Sequence, residues 1–442
     1  MAPRVDPVQS DAQLPDRVDV VVIGGGIVGC SAAYYLAKAG QRVALVEKGH
    51  VAGEQSSRNW GWCRQQGRDR AEIPLARHSL ELWGSLADEI GTDVGFRRTG
   101  VVFVTKDPAE LAMWEDWSNY ARQHQVHAQV LSPEEARAKT KSSNDKWVGG
   151  LYTSSDGRAE PAQAAPAIAE AARRLGVTVH QSCAARGLET TAGRISGVVT
   201  EKGTIRTDAV LCAGGVWTSM FSRRHGVRLP QLHVKASVLR TSPAPELTEG
   251  AIATPGVCIR RRDDGGLNVA YSGRGTFDLT PDAFRYARMF WATYRQRGGK
   301  LKIRFGRPFF EAMMRHNTWP LDAPSPFEAM RVYDPPPDED LLREAMADLK
   351  RTYPVLADVT MVEGWGGAIE STPDGLPVIS PVADLSGLYL ATGFSGHGFG
   401  AGPGGGHLAA DLVLGRTPLV DPTPFRFERM AQRRLQGPDS RL

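Results

Sequence analysis

A run of β-branched residues followed at once by glycines constrains the fold of this chain more than any other feature. Residues 19–23 (DVVVI) predict a strand buried on both faces, and apolar residues then recur at helical spacing as far as Gly40. A second apolar run, residues 43–46, ends at Glu47. A strand, a helix and a parallel strand make a βαβ unit, so we predict an α/β fold at this end of the chain.

The glycines of this turn have the spacing of a phosphate-binding loop. Gly24, Gly26 and Gly29 form a Gly-x-Gly-x-x-Gly pattern between the strand and the helix. Such glycines allow a tight turn, close approach of the backbone to a diphosphate and close packing of helix on strand. Glu47 follows about 20 residues later, where a carboxylate can accept both hydroxyls of a ribose. We therefore predict a dinucleotide site with its phosphates at the helix N-terminus.

Length, charge and cysteine content exclude several classes of protein. The chain has 442 residues, enough to bury more than one hydrophobic core. Its 53 basic and 49 acidic residues leave a net charge of +4, too small and too evenly spread to indicate a nucleic-acid partner. Five widely spaced cysteines predict neither disulfides nor a zinc site, and we expect no metal. No signal peptide or long apolar run is present, so we expect a cytoplasmic chain without a transmembrane segment.

Beyond the βαβ unit, the apolar pattern predicts further helices, further strands and an antiparallel middle. Residues 258–262 and 267–271 flank the sequence DDGG, which favours a hairpin. A buried strand is predicted over 387–393, followed by glycines and a helix. The predicted helices cover residues 74–86, 108–124, 161–175 and 407–414.

Further motifs occur in the order typical of one known family. They are residues 56–62 (SSRNWGW), 207–218 (TDAVLCAGGVWT), 372–377 (TPDGLP) and 393–399 (GFSGHGF). Together with the glycine turn, they resemble the D-amino-acid oxidase type of FAD-dependent oxidoreductase, which includes glycine oxidase, sarcosine oxidase and many amino-acid dehydrogenases. The resemblance extends from about residue 17 to residue 415.

The resemblance implies an α/β fold, with a Rossmann-like FAD-binding domain and an inserted antiparallel-sheet (α+β) substrate domain. The FAD-binding domain is expected to be discontinuous, because its motifs lie at both ends and in the middle of the chain. A flexible leader is expected at 1–16. The expected segments are 17–94, 150–225 and 365–442 for the FAD-binding domain, and 95–149 and 226–364 for the substrate domain.

The resemblance also implies FAD bound without a covalent link. The position of the family's usual flavin-linking cysteine is Gly367, so Cys63 is expected to be a small apolar residue. The glycine-rich segment before the last helix is expected to direct backbone N–H groups at the negative charge of reduced flavin. The residues implied to bind the cofactor are Gly24, Gly26, Ile27, Gly29, Glu47, Lys48, Ser56, Ser57, Gly61, Trp62, Ala185, Gly214, Trp217, Gly396, His397, Gly398 and Phe399.

On the substrate side, Arg64 aligns with an arginine that grips the substrate carboxylate in the sarcosine-oxidase branch. A guanidinium offers a bidentate fork, but a structural ion pair is the alternative role for this residue. Trp60 and Trp62 either wall the active site or pack structurally. His397 is a candidate general base, or contributes only its backbone.

The chain also departs from the family pattern. Lysines are missing at the positions of Gly400 and Asn268, and arginines are missing at those of Ile369 and Gly396. Glu370 is expected beside the site, where it would favour a cationic or extended amine. The electron acceptor is expected to be O2 or a quinone or carrier protein, and the absence of the lysine that assists oxygen reduction favours the quinone or carrier protein over O2.

The implied reaction is FAD-dependent oxidation of a CH–NH bond in an amino acid, N-substituted amino acid or amine. Hydride would pass from the α-carbon to flavin N5, and water would hydrolyse the imine. A protonated amine releases hydride poorly, so activity should rise with pH. A 2-hydroxy-acid or polyol-phosphate dehydrogenase and a flavin-carrying subunit of a larger dehydrogenase stay open as alternatives.

Overall fold

The computed structural model describes residues 3–141, 143–314, 318–431, 435 and 437–438. The strands are β1 (Val20–Ile23), β2 (Val43–Val46), β3 (Trp62–Cys63), β4 (Val101–Thr105), β5 (Ala128–Leu131), β6 (Gly149–Thr153), β7 (Gly157–Arg158), β8 (Thr178–His180), β9 (Ala185–Thr191), β10 (Arg194–Thr200), β11 (Gly203–Arg206), β12 (Ala209–Cys212), β13 (Leu232–Thr241), β14 (Ala251–Ala253), β15 (Cys258–Arg261), β16 (Leu267–Ala270), β17 (Gly275–Asp278), β18 (Leu301–Arg304), β19 (Met361–Ser371), β20 (Val378–Pro381) and β21 (Leu388–Thr392). The helices are α1 (Ile27–Lys38), α2 (Gln55–Arg58), α3 (Ile73–Ile90), α4 (Pro108–Gln123), α5 (Pro133–Lys139), α6 (Pro161–Arg174), α7 (Thr218–Arg224), α8 (Pro281–Arg285), α9 (Ala287–Arg297), α10 (Arg307–Met314), α11 (Pro326–Ala329), α12 (Glu339–Thr352) and α13 (Gly398–Leu414).

A six-stranded sheet in the order β20-β21-β12-β1-β2-β8 lies between two layers. β1 pairs in parallel with β2 and with β12, so the predicted βαβ unit is confirmed. Val20 and Val22 pack into the core on one face with α1, α3, α6 and α13. Val21 packs into the core on the other face with β9, β10 and β11. Burial on both faces explains why β1 is apolar at every position.

The last helix begins much earlier than predicted. The sequence placed its start at His407, because glycine has a low helix propensity. In the structure α13 begins at Gly398, and its glycines lie against neighbouring helices. A Cβ at Gly406 would lie 2.5 Å from the Cβ of Ser31 in α1, and one at Gly404 would lie 2.8 Å from the Cβ of Ser79 in α3. The prediction was wrong here because close helix packing requires glycine where propensity opposes it.

A second, larger sheet is mainly antiparallel. Its order is β18-β17-β13-β16-β15-β14-β4-β6-β5, and β19 also pairs with β13. The predicted hairpin is confirmed as β15 and β16, with Arg261 opposite Leu267. The combination of a parallel sheet and an antiparallel sheet confirms the predicted fold class.

Two of the predicted boundaries between the FAD-binding and substrate domains fall within strands of this larger sheet. The 149/150 boundary falls inside β6, which pairs with β4 and β5, and the 364/365 boundary falls inside β19. The division into domains stays a prediction. Residues 1–2, 432–434, 436 and 439–442, which belong to the predicted leader and to the last predicted segment, lie outside the described residues.

The described part of the predicted leader lies along α6 and β8. The N–H of Asp11 donates to the carbonyl of Val179 at 2.7 Å, and the Asp11 carboxylate accepts from the N–H of Val179 and from Arg173. The N–H of Asp6 donates to Ala162. Whether this segment is mobile in solution stays a prediction. Throughout the described ranges, no helix combines the length and apolar character that a bilayer crossing requires.

Candidate active site

A continuous cavity of about 760 Å³ joins the carboxyl ends of the parallel strands to the concave side of the larger sheet. One end is lined by the turn after β1, by Glu47 and by Ala185. The other end is lined by Arg64 and by the turn before α13. Ligands of open α/β sheets bind outside the carboxyl ends of the strands, and this is where the cavity lies.

The turn after β1 has the geometry that the glycine pattern predicts. Gly24 has a φ of +108°, and a Cβ there would lie 2.5 Å from the carbonyl oxygen of Ala213. A Cβ at Gly29 would lie 2.0 Å from the carbonyl of Gly24. Ser56 Oγ accepts from the N–H of Ile27 at 2.9 Å. Gly26 has no side chain to cap α1, so the positive end of the helix faces the cavity.

Glu47 ends β2 at the cavity wall. One carboxylate oxygen accepts from the N–H of Gly25 at 2.8 Å, and the other accepts from the N–H of Gly49 at 2.7 Å. Burial raises the pKa of this carboxyl, against the opposing effect of these hydrogen bonds. Each carboxylate oxygen has two lone pairs, so both can still accept from a ligand hydroxyl.

The C-terminal glycine segment forms the other end of the cavity. Ser395 and Gly396 both have positive φ, +51° and +87°, and the chain then enters α13. His397 is the residue before the helix and provides no side-chain cap. Gly398 and Phe399, the first two residues of α13, line the cavity. A second helix N-terminus therefore faces the same cavity as the first.

Arg64 lies in the loop after β3 and is 8% exposed. Buried Asp156 accepts from the N–H groups of Gln65 and Gln66 at 3.0 and 3.1 Å, which fixes this loop. Burial, and then repulsion from Arg68, lower the pKa of the Arg64 guanidinium to about 9. A guanidinium desolvated in this way gains most from an anionic ligand in the cavity.

Two further charged residues extend this cluster, and the sequence analysis missed both. Arg68 lines the cavity, and its buried Nη1 has no hydrogen-bond partner among the described residues. Glu72 is fully buried, and its Oε2 lies 2.9 Å from Nδ1 of His397. Burial, and then Arg68, lower the pKa of His397 to about 4. A charged residue in a loop gives no sequence signal of burial, which is why neither residue was singled out.

Trp60 and Trp62 lie both in the cavity wall and against the hydrophobic core, and their contact with a substrate stays a prediction. Their rings meet edge to face at a centroid distance of 5.4 Å, and Trp62 stacks on Phe103 at 6.2 Å. Both tryptophans line the cavity. Packing against the core gives these rings a rigid position toward a ligand.

Glu370 is buried and its carboxylate is bound by the protein. One oxygen accepts from the N–H groups of Gly393 at 3.0 Å and Phe394 at 3.3 Å. The other accepts from Gln231 at 2.7 Å and from Thr392 at 3.1 Å. Burial raises the pKa of Glu370 to about 6. These contacts tie β19 to the turn before α13, and Gln231 is a contributor that the sequence analysis missed.

Lys48 and Trp217 both line the cavity, and both contact Glu54, which the sequence motifs did not predict. The ammonium of Lys48 donates to Glu54 at 2.8 Å, and lies 4.2 Å from the centre of the Trp217 ring. Trp217 Nε1 donates to both oxygens of Glu54 at 3.0 Å. Glu54 was not singled out from the sequence, although it occupies the centre of this group. The remaining predicted cofactor residues that line the cavity are Ser56, Ala185 and Gly214.

Two other predicted cofactor residues make contacts within the protein. Ser57 is buried in α2, and its Oγ donates to the carbonyl of Glu54 at 3.2 Å. A Cβ at Gly61 would lie 2.5 Å from the carbonyl oxygen of Ala159.

The glycine turn, the Glu47 carboxylate and the second helix N-terminus all lie at one cavity, and a comparison with family models identifies the family. A model of the FAD-dependent oxidoreductase family matches residues 19–412. This chain belongs to that family. FAD-dependent oxidoreductase chemistry is therefore its activity class, and FAD is its cofactor.

Known members resemble the chain over nearly its whole length. The structure of L-amino acid deaminase from Proteus myxofaciens in complex with anthranilate is 32% identical, with a TM-score of 0.93, and the match covers 98% of this chain and 97% of that one. The L-amino acid deaminase from Proteus vulgaris is 31% identical, with a TM-score of 0.91, over 96% and 99% of the two chains. Glycine oxidase of Pseudomonas aeruginosa is 27% identical over 418 residues, covering 92% of this chain and 97% of that protein.

The described residues fit FAD. A diphosphate is bound by a glycine turn at a helix N-terminus, and a ribose is bound by a carboxylate; the turn before α1 and Glu47 supply these two features. Cys63 is fully buried in the core, and burial raises the pKa of its thiol. A neutral thiol packed in this way agrees with its expected role as a small apolar residue.

Where this oxidoreductase departs from the family pattern, the structure shows a physical reason. A side chain at Gly400 would start 2.9 Å from the carbonyl oxygen of Trp62, so a lysine has no room there. Asn268 is buried in β16, where its carboxamide oxygen accepts from Arg262 at 3.1 Å. Among the described residues, no group of three or more His, Cys, Asp or Glu side chains is arranged to hold a metal ion.

Proposed function

We propose that this FAD-dependent oxidoreductase oxidises the CH–NH bond of an amino acid or N-substituted amino acid, and that water hydrolyses the resulting imine. The observation that carries this proposal is the pair Arg64 and Arg68, two buried guanidinium groups in the wall of the cavity. The names of the two deaminases and of the glycine oxidase support the same class of substrate.

The cofactor is proposed to lie along the cavity with its adenosine at Glu47 and Ala185. Its diphosphate would lie at Gly24–Gly29 and its flavin beside the turn before α13. This orientation is supported by the two helix N-termini, which both line the cavity, and by the carboxylate at the end of β2. When bound, FAD accepts a hydride from the carbon that carries the amine nitrogen.

Arg64 and Arg68 are proposed to bind the substrate carboxylate. Nη1 of Arg68 is a buried donor without an acceptor in the described part of the chain, which is costly unless a ligand supplies one. Two acidic residues, Asp156 and Glu72, act on both arginines, and both oxygens of Asp156 already accept from backbone N–H groups. The positive charge of Arg64 and Arg68 at the cavity wall favours a carboxylate and disfavours an ammonium group beside it.

The substrate amine is therefore proposed to react as the free base. His397 has a pKa of about 4, so its imidazole is neutral near pH 7 and accepts a proton poorly. Glu72 holds its Nδ1, which fixes the ring beside α13. His397 and Glu72 are therefore proposed to hold the site in position, and Arg64 and Arg68 are proposed to lower the pKa of the substrate amine, so that no side chain has to remove its proton during the reaction.

The rest of the cavity favours an apolar or aromatic substrate side chain. α9 contributes Phe290, Trp291 and Tyr294 to the wall, Val238 contributes from β13, and Tyr271 contributes from the position that follows β16. Trp291 is 58% exposed, which places aromatic surface at the mouth of the cavity. Such a lining binds side chains larger than that of glycine.

The electron acceptor is proposed to be O2 or a quinone or carrier protein, and the cytoplasmic location stays a prediction. Gly400 and Asn268 stand where the sarcosine-oxidase branch is expected to have lysines. Losing an ammonium group near the flavin removes an electrostatic aid to oxygen reduction.

An anaerobic reduction panel tests the proposed function. The purified holoenzyme is mixed with apolar L- and D-amino acids, N-methyl amino acids, amines without a carboxylate, and 2-hydroxy acids. Loss of visible flavin absorbance with amino acids alone is expected. Reduction by 2-hydroxy acids would favour the alternative dehydrogenase, and reduction by none of them would favour a subunit without its own substrate. Arg77→Ala, on the exposed side of α3, is the control for the arginine variants.

A further inference from the structure

Residues 330–335, called the strap here, cross from α11 toward α12 over the end of β2. Lys48 Nζ donates to the carbonyls of Met330 and Arg331, both at 2.9 Å. Arg331 in turn donates to the carbonyl of Lys48 at 3.0 Å. A Cβ at Gly49 would lie 2.5 Å from the Arg331 carbonyl oxygen, so glycine is needed for the strap to lie this close.

The first anchor of the strap is an ion pair beside Ala185, where the adenosine of FAD is proposed to lie. Arg331 forms two hydrogen bonds with Glu201, the second of them at 2.6 Å. The same carboxylate accepts from the N–H of Ala184 at 2.6 Å, next to Ala185. Burial opposes the ionised form, but Arg331 and this N–H hold the pKa of Glu201 below its usual value. The strap is thus joined to the chain segment expected to face the adenine.

The second anchor lies at the other end of the strap. The N–H of Tyr333 donates to Glu54 at 3.0 Å, and Asp334 pairs with Arg58. The Arg58 side chain is only 2% exposed and also donates to the carbonyls of Gly53 and Gly366. A buried guanidinium with three acceptors is a fixed attachment point.

Between its anchors the strap forms part of the cavity wall. Arg331 and Val332 line the same cavity as Glu47 and Ala185. We propose that the strap closes over the adenosine end of bound FAD and controls how fast the cofactor leaves. This inference rests on the proposed orientation of FAD in the cavity. A ligand covered by a segment with two anchors leaves when the anchors break, so their strength affects dissociation more than association.

The contacts of Lys48 fit this role better than direct binding of the cofactor. Its ammonium has three protein acceptors, Glu54 and the carbonyls of Met330 and Arg331, and lies over the Trp217 ring. All three donor sites of an ammonium group are therefore used within the protein. Lys48 joins the strap to the loop before α2.

The test measures release of FAD from the holoenzyme after dilution, by the rise in flavin fluorescence. Arg331→Ala removes the first anchor and is expected to speed release about tenfold, as loss of a charge-assisted hydrogen bond predicts. Glu201→Gln should act in the same direction. Arg343→Ala, which removes an exposed ion pair on α12, is the matched control and should leave the rate unchanged.

Binding of cofactor fragments separates a cover over the adenosine from general destabilisation. The full chain freed of FAD is titrated with ADP and, separately, with FMN, which lacks the adenosine. Arg331→Ala should weaken ADP binding about tenfold and leave FMN binding unchanged. Equal release rates for the variant and the unaltered protein, or equal losses for ADP and FMN, would overturn the proposal.

Gly49→Ala provides a second variant that keeps every charge. Its new Cβ displaces the strap, so faster FAD release is again expected, while the unfolding temperature of the FAD-free chain separates this effect from misfolding. Unchanged release in this correctly folded variant also counts against the strap. None of these measurements uses substrate, so the amino-acid proposal can fail in the reduction panel while the strap holds, and the reverse.

Discussion

Nδ1 of His397 lies 2.9 Å from Oε2 of Glu72, and both side chains are buried at the N-terminus of α13. The pair connects the loop of Arg64 and Arg68 to the turn before α13. Burial makes protonation of the His397 imidazole costly, so this hydrogen bond affects both the stability of the fold and the position of the turn before α13.

The first prediction concerns stability in acid. The pKa of His397 falls from its ordinary 6.5 to about 4 in the folded state, so the unfolded chain binds the extra proton first. The folded state therefore loses stability as the pH falls from 6.5 toward 4, by about 3 kcal/mol in total. His397→Asn should flatten this loss, whereas His127→Asn, at an exposed position, should retain it. Urea unfolding at several pH values measures the difference.

The second prediction concerns Glu370, whose protonation is expected to stabilise the folded state as the pH falls, the opposite of the effect of His397. The pKa of Glu370 rises from its ordinary 4.5 to about 6, so the folded state binds this proton first and gains up to about 2 kcal/mol as the pH falls from 6 toward 4.5. Glu370→Gln should remove that gain. It should also retain the hydrogen bonds from Gly393 and Phe394, since the amide oxygen can accept them.

Glu370→Ala leaves those two N–H groups without an acceptor. We expect a loss of about 2 kcal/mol or more in unfolding free energy and weaker FAD binding. Urea unfolding and FAD titration measure the two effects. If the alanine and glutamine variants bind FAD equally well, Glu370 does not position the turn.

The third prediction concerns substrate recognition. Arg64→Lys keeps the charge but loses the bidentate fork, and Arg68→Met removes the charge at similar length. Each should lower kcat/KM for amino acids by about 10- to 100-fold and affect amines without a carboxylate much less. Steady-state kinetics on matched pairs of substrates measures this, with Arg77→Ala as control. Equal losses for both kinds of substrate contradict carboxylate binding.

The fourth prediction concerns pH and rate. If the substrate reacts as its free amine, flavin reduction should become faster as the pH rises. The positive field of Arg64 and Arg68 lowers the pKa of the bound amine, so Arg68→Gln should move the profile to higher pH. Stopped-flow reduction under anaerobic conditions gives both profiles. A rate that is independent of pH, or a profile that moves the other way, contradicts free-base binding.

The fifth prediction concerns helix packing. Gly406→Ala introduces a Cβ 2.5 Å from that of Ser31, and we expect a loss of about 1–3 kcal/mol in stability. Gly299→Ala is the control, because no atom of the described residues, its two chain neighbours apart, lies within 4 Å of its new Cβ. Thermal unfolding measures both variants, and a stable Gly406→Ala protein would show that α1 and α13 can separate without cost.

Local pattern was enough to predict the βαβ unit, the glycine turn, Glu47 at the end of β2 and the hairpin of β15 and β16. Each of these depends on residues close together in sequence, whose periodicity or turn chemistry has few structural solutions. The motif order also identified the family and therefore FAD. The start of α13 could not be predicted in this way, because its glycines are selected by helices that are remote in sequence.

The amino-acid sequence by itself determined the glycine turn after β1, the α/β fold class and, through the order of its motifs, the cofactor, because these signals are local in sequence. Only the tertiary structure decided which charges are buried: Arg68 and Glu72 beside His397, and Glu370 against the turn before α13. Burial depends on segments that meet from distant parts of the chain, and burial together with the neighbouring charges it brings close, rather than residue type, gives these groups their altered pKa values and their contacts.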